Sequence, residues 1–172
     1  MSKRDLKKYL KNFDNNGLTK IILDTYSKNK DAKEYLDYLV EPTEKEQFLK
    51  AKKIIKNEYF HEQTHLTKAR LSVAKKAISD FKRFDPSPEL VAELLIFLVE
   101  QISDYAKLYG VTDISFYDSI ESNYLTALVF IHDNDLLDKF KSRAKKIVDI
   151  SYDEYFNSIL CDLYLGFYLK IE

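Results

Sequence analysis

The sequence predicts an all-α protein of about nine helices, stacked as antiparallel helical hairpins, with no sheet. Only three Gly and three Pro occur among the 172 residues. A chain this poor in Gly and Pro has few of the tight turns that sandwiches, barrels and propellers require. Apolar residues recur at spacings of three and four, which is the period of an amphipathic helix, and no segment sustains the alternation of a strand.

Nine segments in chain order show this helical period. They cover residues 6–13, 18–26, 35–39, 48–59, 71–81, 88–108, 117–131, 136–148 and 152–170. The sixth segment is apolar almost all the way round, so we expect it at the centre of the fold.

Short polar motifs predict where these helices begin and end. Thr43–Glu46 and Ser151–Glu154 are capping boxes, and Ser2–Asp5, Asp31–Glu34 and Ser115–Asp118 are variants of the same motif. Ser87 before Pro88 predicts a helix that starts at the proline. Asn16–Gly17 and Gly110 are predicted left-handed helix stops, and Asn134–Asp135 is a predicted turn.

The length predicts a single domain over residues 1–172, with a candidate division into 1–60 and 67–172 around a polar loop. Net charge is −1, yet residues 1–84 carry 20 Lys and Arg against 12 Asp and Glu, whereas residues 85–172 carry 7 against 16. Such a split can indicate a nucleic-acid surface. We favour two faces of one domain that neutralise each other.

Compartment and cofactors are constrained by what the chain contains. Cys161 is the single cysteine, so an intrachain disulfide is excluded, and with no apolar leader we expect a cytoplasmic protein. The most apolar stretch, Leu90–Val99, has about half the length that spans a bilayer, so we expect no membrane. The three glycines are too far apart for a phosphate-binding loop, and we predict no cofactor.

The string His61-Glu62-Gln63-Thr64-His65 matches H-E-x-x-H. On a helix this spacing places two imidazoles on one face to bind zinc, with the glutamate as the base for a metal-bound water. A helix through the motif would run from 43 to 83, so we predict a break near 60–67. No third ligand is evident, and we favour an exposed polar loop.

Two further patterns could carry chemistry. His132–Asp133 resembles the metal-binding dipeptide of helical phosphohydrolases, with His61 or His65 and Asp162 as partners, but it leads into a turn signal, and we favour a solvated helix end. Cys161 lies in an apolar setting unlike that of a nucleophilic thiolate, so we interpret it as a packing residue.

A basic stripe on the fifth helix consists of Lys68, Lys75, Lys76, Lys82 and Arg83. An acidic stripe on the sixth consists of Glu89, Glu93, Glu100 and Asp104, which fall within about 60° of one another on a helix. The two stripes could be the basic and acidic faces of one hairpin. Because the aromatic residues keep core spacing, nucleic-acid binding by the basic stripe is not favoured.

The last helix carries an aromatic stripe that includes Tyr155, Phe156, Tyr164, Phe167 and Tyr168. We favour its being wrapped by the other helices, with a dimer seam as the alternative. Gly166 is the one breaker inside a predicted helix, and it marks a candidate close contact.

Several strings resemble a bacterial family of uncharacterised all-helical proteins, a domain of unknown function. They are Met1–Leu10, Lys68–Phe81, Pro86–Ala92 and Leu137–Ile147. The resemblance implies a single helical domain and supplies no activity or site residue. The three histidines lie outside these strings, so the resemblance lends no support to a metal site.

The function expected from the sequence is a non-enzymatic cytoplasmic binding or interaction module, with a protein partner or a homodimer. The alternative is a metal-dependent hydrolase that uses His61, Glu62 and His65, with His132 as a further candidate ligand.

Overall fold

A computed structural model describes residues 2–41, 43–60, 68–150 and 154–169. These ranges hold nine helices and no strand, which confirms the all-α prediction. The helices are α1 (Lys3–Leu10), α2 (Asn15–Lys28), α3 (Lys30–Val40), α4 (Glu44–Tyr59), α5 (Leu71–Lys82), α6 (Pro88–Tyr109), α7 (Ile114–Asp133), α8 (Leu137–Ile150) and α9 (Glu154–Tyr168).

Several predicted helix boundaries are confirmed. At α1 the Asp5 amide donates to the Ser2 hydroxyl and the Ser2 amide donates to the Asp5 carboxylate, which is a complete capping box. Helix α6 starts at Pro88, as the missing N–H of proline allows. Gly110 ends α6 with φ +59, and Asp135 forms the turn before α8 with φ +57.

Three predicted boundaries are wrong for one physical reason, a better cap nearby. Gly17 is not a stop but lies in the first turn of α2, where its amide donates to the Asp14 carboxylate at 2.8 Å. Helix α3 is capped by Asn29 and α7 by Asp113, upstream of the motifs at 31–34 and 115–118. Asp and Asn side chains cap helix amides strongly, so each helix starts earlier than predicted. Ser151 lies outside the described residues.

The helices divide into two compact units, Met1–Glu44 and Lys45–Glu172. In the first unit α2 packs against α3, and the Tyr26 hydroxyl donates to the Asp37 carboxylate at 2.9 Å. No residue of α1, α2 or α3 is buried. One domain over residues 1–172 stays a prediction.

In the second unit α6 is central, as its all-round apolar pattern predicted. It packs against α5, α7 and α8, and ten of its residues are buried. Consecutive helices joined by short connections pack together, α5 on α6, α6 on α7, α7 on α8 and α8 on α9. That arrangement is the predicted stack of helical hairpins.

Helix α9 also packs against α7, and two ring contacts set their relative direction. The ring centres of Tyr117, near the start of α7, and Phe156, near the start of α9, are 4.7 Å apart. The ring centres of His132, near the end of α7, and Phe167, near the end of α9, are 5.8 Å apart. The two helices are therefore parallel. Within the described residues, no helix has both the length and the apolar character to cross a bilayer.

Candidate interaction surfaces

The H-E-x-x-H string falls within residues 61–67, which lie outside the described part of the chain. Helix α4 ends at Tyr59 and α5 begins at Leu71, so the predicted break between these helices is confirmed. His61, Glu62 and His65 therefore stay candidate metal-site residues on the grounds of sequence alone.

A clasp formed by Glu58 and Arg70 joins the residues on either side of this segment. The Arg70 Nε and Nη2 donate to the two oxygens of the Glu58 carboxylate at 2.9 and 2.8 Å, and the Ala69 amide donates to the Glu58 carbonyl at 2.8 Å. The side-chain hydrogen bond to Arg70 lowers the pKa of the buried Glu58, with Lys68 as a weaker contributor. Two parallel hydrogen bonds from the guanidinium favour the charged form of the Glu58 carboxylate. This ion pair holds the end of α4 next to the residues that precede α5.

An aromatic cluster on Tyr105 adjoins the end of α4. The centre of the Tyr105 ring lies within 6.4 Å of four other ring centres. The distances are 5.8 Å to Tyr59, 6.4 Å to Phe60, 4.6 Å to Tyr109 and 5.9 Å to Phe116. The apolar body of Tyr59 is fully buried, and burial raises the pKa of its hydroxyl. This cluster joins α4, α6 and the start of α7 by packing.

His132 and Asp133 lie at the exposed end of α7. The imidazole Nδ1 is 3.1 Å from the Asp133 carboxylate, and the ring packs edge-on against Phe167. Asp162 is exposed on α9. Among the described residues, no three of the His, Cys, Asp and Glu side chains are grouped so as to hold a metal ion.

Cys161 lies on α9 and is half-buried at the edge of the core. The predicted packing role agrees with this position, since the residue packs against the buried side chains of the second unit.

The five side chains of the basic stripe are exposed, with Lys68 before α5, three lysines on it and Arg83 just after it. Lys76 pairs with Asp80 at 3.3 Å, and Arg83 lies 3.9 Å from the same carboxylate. The Lys82 ammonium lies 4.8 Å from the ring centre of Phe130 on α7. Among the described residues, protein groups thus contact three of the five cations, Lys76, Lys82 and Arg83.

The acidic stripe of α6 faces α8. Lys139 of α8 pairs with Glu89. Arg143, also on α8, donates one hydrogen bond to Glu93 at 2.5 Å. Two other nitrogens of Arg143 each donate to Glu100 at 2.8 Å. Burial alone would lower the pKa of the Arg143 guanidinium, but its bonds to Glu100 and Glu93 raise it. The acidic stripe is therefore neutralised by the helix after next rather than by the basic stripe of α5.

The fourth acidic residue, Asp104, has a different environment. Burial raises the pKa of this carboxyl, and the charge of Lys146 opposes the shift. Ser103, Tyr117 and Phe156 help to line a small cavity between α6, α7, α8 and α9. Among the described residues, the buried Ser103 hydroxyl has no hydrogen-bond partner.

The aromatic stripe of α9 faces inward. Phe156, Tyr164 and Tyr168 are buried in the core of one chain, and Phe167 is half-buried against His132. The Tyr155 side chain lies outside the described part of the chain. Three of the candidate seam residues are thus covered by α7 and α8, which agrees with the favoured interpretation that the other helices wrap this stripe.

Within the part of the chain that the structure describes, Gly166 does not serve a close contact. It is exposed, and a Cβ built on it would meet no atom within 4 Å. The outward side of α9 presents Leu165 and Leu169 beside this glycine.

Each of the three helices of the first unit carries exposed apolar side chains, which the sequence patterns did not single out. We call this set the unit-1 apolar face; it consists of the exposed side chains Leu6, Tyr9, Ile22, Leu23, Tyr35, Leu39 and Val40. The signal was available in the doublets Ile22-Leu23 and Leu39-Val40, because adjacent apolar residues widen a helical stripe beyond the face that one partner helix can cover.

Comparison with known proteins assigns the chain to a family, and that family has no known function. No curated protein and no solved structure matches the chain. A model described as a family of unknown function matches residues 1–159. The chain therefore belongs to the family of unknown function DUF6155.

Proposed function

We propose that this chain is a non-enzymatic binding module that recognises a protein partner through the unit-1 apolar face. The observation that carries the proposal is that helices α1, α2 and α3 bury no residue, while seven large apolar side chains among them are exposed. Large exposed apolar patches on folded proteins are characteristic of interaction sites.

The energetics of the first unit support this role. Val40 is 88% exposed and Leu39 is 56% exposed. Covering one such side chain stabilises a complex by about 1–2 kcal/mol, at roughly 25 cal/mol per Å² of apolar surface. The Tyr26–Asp37 hydrogen bond and the cation–π contact of Lys33 with Tyr26 hold α2 and α3 together. A partner would therefore meet a preformed hairpin.

The test uses the full chain with Leu39→Ser and Val40→Ser. We expect the paired substitution to remove a cross-linked partner captured by the wild-type protein from cells of the source organism, with circular dichroism unchanged. The matched control is Leu49→Ser on α4, where the side chain is 53% exposed but lies outside the unit-1 apolar face. The proposal fails if the control and the paired substitution affect capture equally, or if neither affects it.

The alternative function is a metal-dependent hydrolase that uses His61, Glu62 and His65. Its support is the H-E-x-x-H motif itself. Metal analysis of protein purified without a His-tag and incubated with zinc tests it. Stoichiometric zinc that is lost in His61→Ala would favour the hydrolase, and absence of zinc would exclude it.

We do not propose nucleic acid as the ligand. Lys76 and Arg83 already face Asp80, and Lys82 lies over Phe130, which reduces the free positive charge of the basic stripe. Heparin retention that fell steeply with salt would contradict this part of the proposal, because release of counterions gives phosphate binding that dependence.

The setting that we propose is the cytoplasm of a bacterium. The single cysteine, Cys161, supports a reducing compartment, and the resemblance of the strings at 1–10 and 68–81 to a bacterial family supports the source.

A further inference from the structure

Helices α7 and α9 form a parallel pair on the surface of the second unit, and their composition differs from that of the rest of the chain. The 20 residues of α7 include three charged ones, Asp118, Glu121 and Asp133, and the 15 residues of α9 include two, Glu154 and Asp162. Neither helix contains Lys or Arg, although 32% of the chain is charged. Depletion of charge is characteristic of the centre of protein interfaces.

The outward side of this pair is apolar as well as acidic. Leu125 and Val129 are exposed on α7, and Leu165 and Leu169 are exposed on α9, the last at 65%. On α7 these residues follow Asp118 at spacings of seven and then four, and on α9 they follow Asp162 at spacings of three and then four, which keeps each set on one side of its helix. We call Asp118, Leu125, Val129, Asp162, Leu165 and Leu169 the α7/α9 face.

Gly166 lies on this face and points to a close approach by another chain. A helical glycine costs about 1 kcal/mol of stability relative to alanine. Among the described residues, no atom lies within 4 Å of a Cβ added at Gly166, so no packing contact there requires a glycine. A partner helix crossing at Gly166 would approach the α9 backbone more closely than any larger side chain allows.

The negative charge of Asp118 and Asp162 favours a positively charged partner for this face. A second copy that used the same face would bring Asp118 and Asp162 against acidic residues of the same sign, and like charges across an interface oppose binding. A helix with an apolar stripe between Lys and Arg would instead cover the leucines and pair with the two carboxylates.

We propose that the α7/α9 face docks a basic amphipathic helix of a protein partner. The inference rests on the proposed function only in treating the chain as a protein-binding module, and it concerns a different surface from the unit-1 apolar face. From Asp118 to Val129 the face extends about 16 Å, at a rise of about 1.5 Å per residue. It therefore accommodates roughly three turns of a partner helix.

The test measures binding of a fluorescent synthetic helix to the full chain by anisotropy. The peptide carries Leu at spacings of three and four and Lys on both flanks of that stripe, and a control peptide has Glu in place of every Lys. We expect the Lys peptide to bind with an affinity that falls with added salt, and the Glu peptide to bind at least ten-fold more weakly.

Three protein variants locate the peptide. Asp118→Lys with Asp162→Lys, and separately Leu125→Ser with Leu165→Ser, should each weaken binding at least ten-fold. Asp24→Lys with Glu41→Lys makes the same change in net charge at two exposed acidic residues of the first unit and should leave binding unchanged. Circular dichroism verifies that each variant is folded.

The inference is overturned if the Lys peptide does not bind, if the Glu peptide binds equally well, or if the face variants bind like the wild type. It is also overturned if the wild type forms a dimer in sedimentation velocity that Leu125→Ser with Leu165→Ser abolishes, because a second copy would then be the occupant. None of these outcomes bears on the Leu39 and Val40 experiment, so the two proposals fail separately.

Discussion

Arg143 on α8 donates two parallel hydrogen bonds to Glu100 on α6, from Nε to Oε1 and from Nη2 to Oε2, both at 2.8 Å. A third bond, from Nη1, reaches Glu93, which lies seven residues or about two helical turns before Glu100 on α6. The planar guanidinium can satisfy both carboxylates at once, which lysine cannot do. This contact fixes the register of α8 against the central helix, because sliding either helix would break all three bonds.

Replacement of Arg143 by methionine should lower the free energy of unfolding by about 1–3 kcal/mol. The side chains of Arg143 and Glu100 are only 29% and 18% exposed, so the substitution leaves two carboxylates close together without their cation. Urea denaturation measures the loss.

Lys145→Met is the matched control on the same helix. Lys145 pairs with Asp149 at 2.6 Å, but both side chains are half exposed, and exposed pairs of this kind contribute about 0.5 kcal/mol or less. Equal losses for the two substitutions would show that the Arg143 contacts have no special role.

The same contact shows what sequence reasoning can reach. The helices were predictable because the apolar period and the caps are local signals, and α6 was recognisable as central from its apolar circumference. The partner of the acidic stripe depends on long-range packing, since Arg143 is 43 and 50 positions from its two carboxylates. The spacing of Lys139, Arg143 and Lys146 on one face of α8 was a signal that could have indicated the pairing.

The candidate surfaces were less predictable than the fold. The aromatic stripe of α9 was recognisable as apolar, but its burial depends on α7 and α8 lying against it. Leu165 and Leu169 lie on the opposite side of α9 and are also apolar, and they differ from the stripe only in having no helix packed over them among the described residues. Exposure of a helix face is a property of its neighbours, and a period in the sequence does not encode which of two apolar faces is covered.

Acidification should destabilise the protein through Glu58. The hydrogen bond from Arg70 lowers the pKa of this carboxyl in the folded state from its ordinary value of 4.5. The unfolded chain then binds the proton more tightly, so the stabilisation is complete above pH 4.5 and is lost as pH falls through the lower, folded pKa. Urea midpoints measured across this acid range test the sign.

Glu58→Gln isolates the contribution of that carboxyl. The variant should be less stable than the wild type at neutral pH, and its stability should fall less on acidification. Asp5 and Asp113, whose pKa values are lowered by hydrogen bonds from Ser2 and Ser115, keep part of the pH dependence. A variant whose acid transition has the full wild-type steepness would contradict the assignment.

Alkaline conditions should destabilise the core through its buried tyrosines. Burial raises the pKa of Tyr124, whose hydroxyl donates to the Ala144 carbonyl at 3.0 Å, and raises the pKa of Tyr168 to about 12. An unfolded chain ionises tyrosine near pH 10, so the stabilisation is present below that pH and is lost as the pH rises above it. Phenolate absorbance followed with circular dichroism should show these groups ionising together with unfolding.

Tyr124→Phe tests that coupling at one residue. At neutral pH the variant loses about 1 kcal/mol, the usual contribution of a hydroxyl hydrogen bond. Above pH 10 the difference from the wild type should shrink, because the unfolded variant has one phenol fewer to ionise. A difference that stayed constant through the alkaline range would show that Tyr124 does not contribute to the transition.

The glycines give a final pair of opposed predictions. Gly166→Ala should raise the free energy of unfolding by about 0.5–1 kcal/mol, because alanine favours the helix and its Cβ meets nothing within 4 Å. Gly110→Ala should lower it by roughly 1–2 kcal/mol, since φ at the end of α6 is +59 and a side chain is strained there. Urea denaturation of the two variants measures both effects. If Gly166→Ala were destabilising in the purified protein, its glycine would have a role inside the chain, and the argument that an external helix approaches α9 there would lose that support.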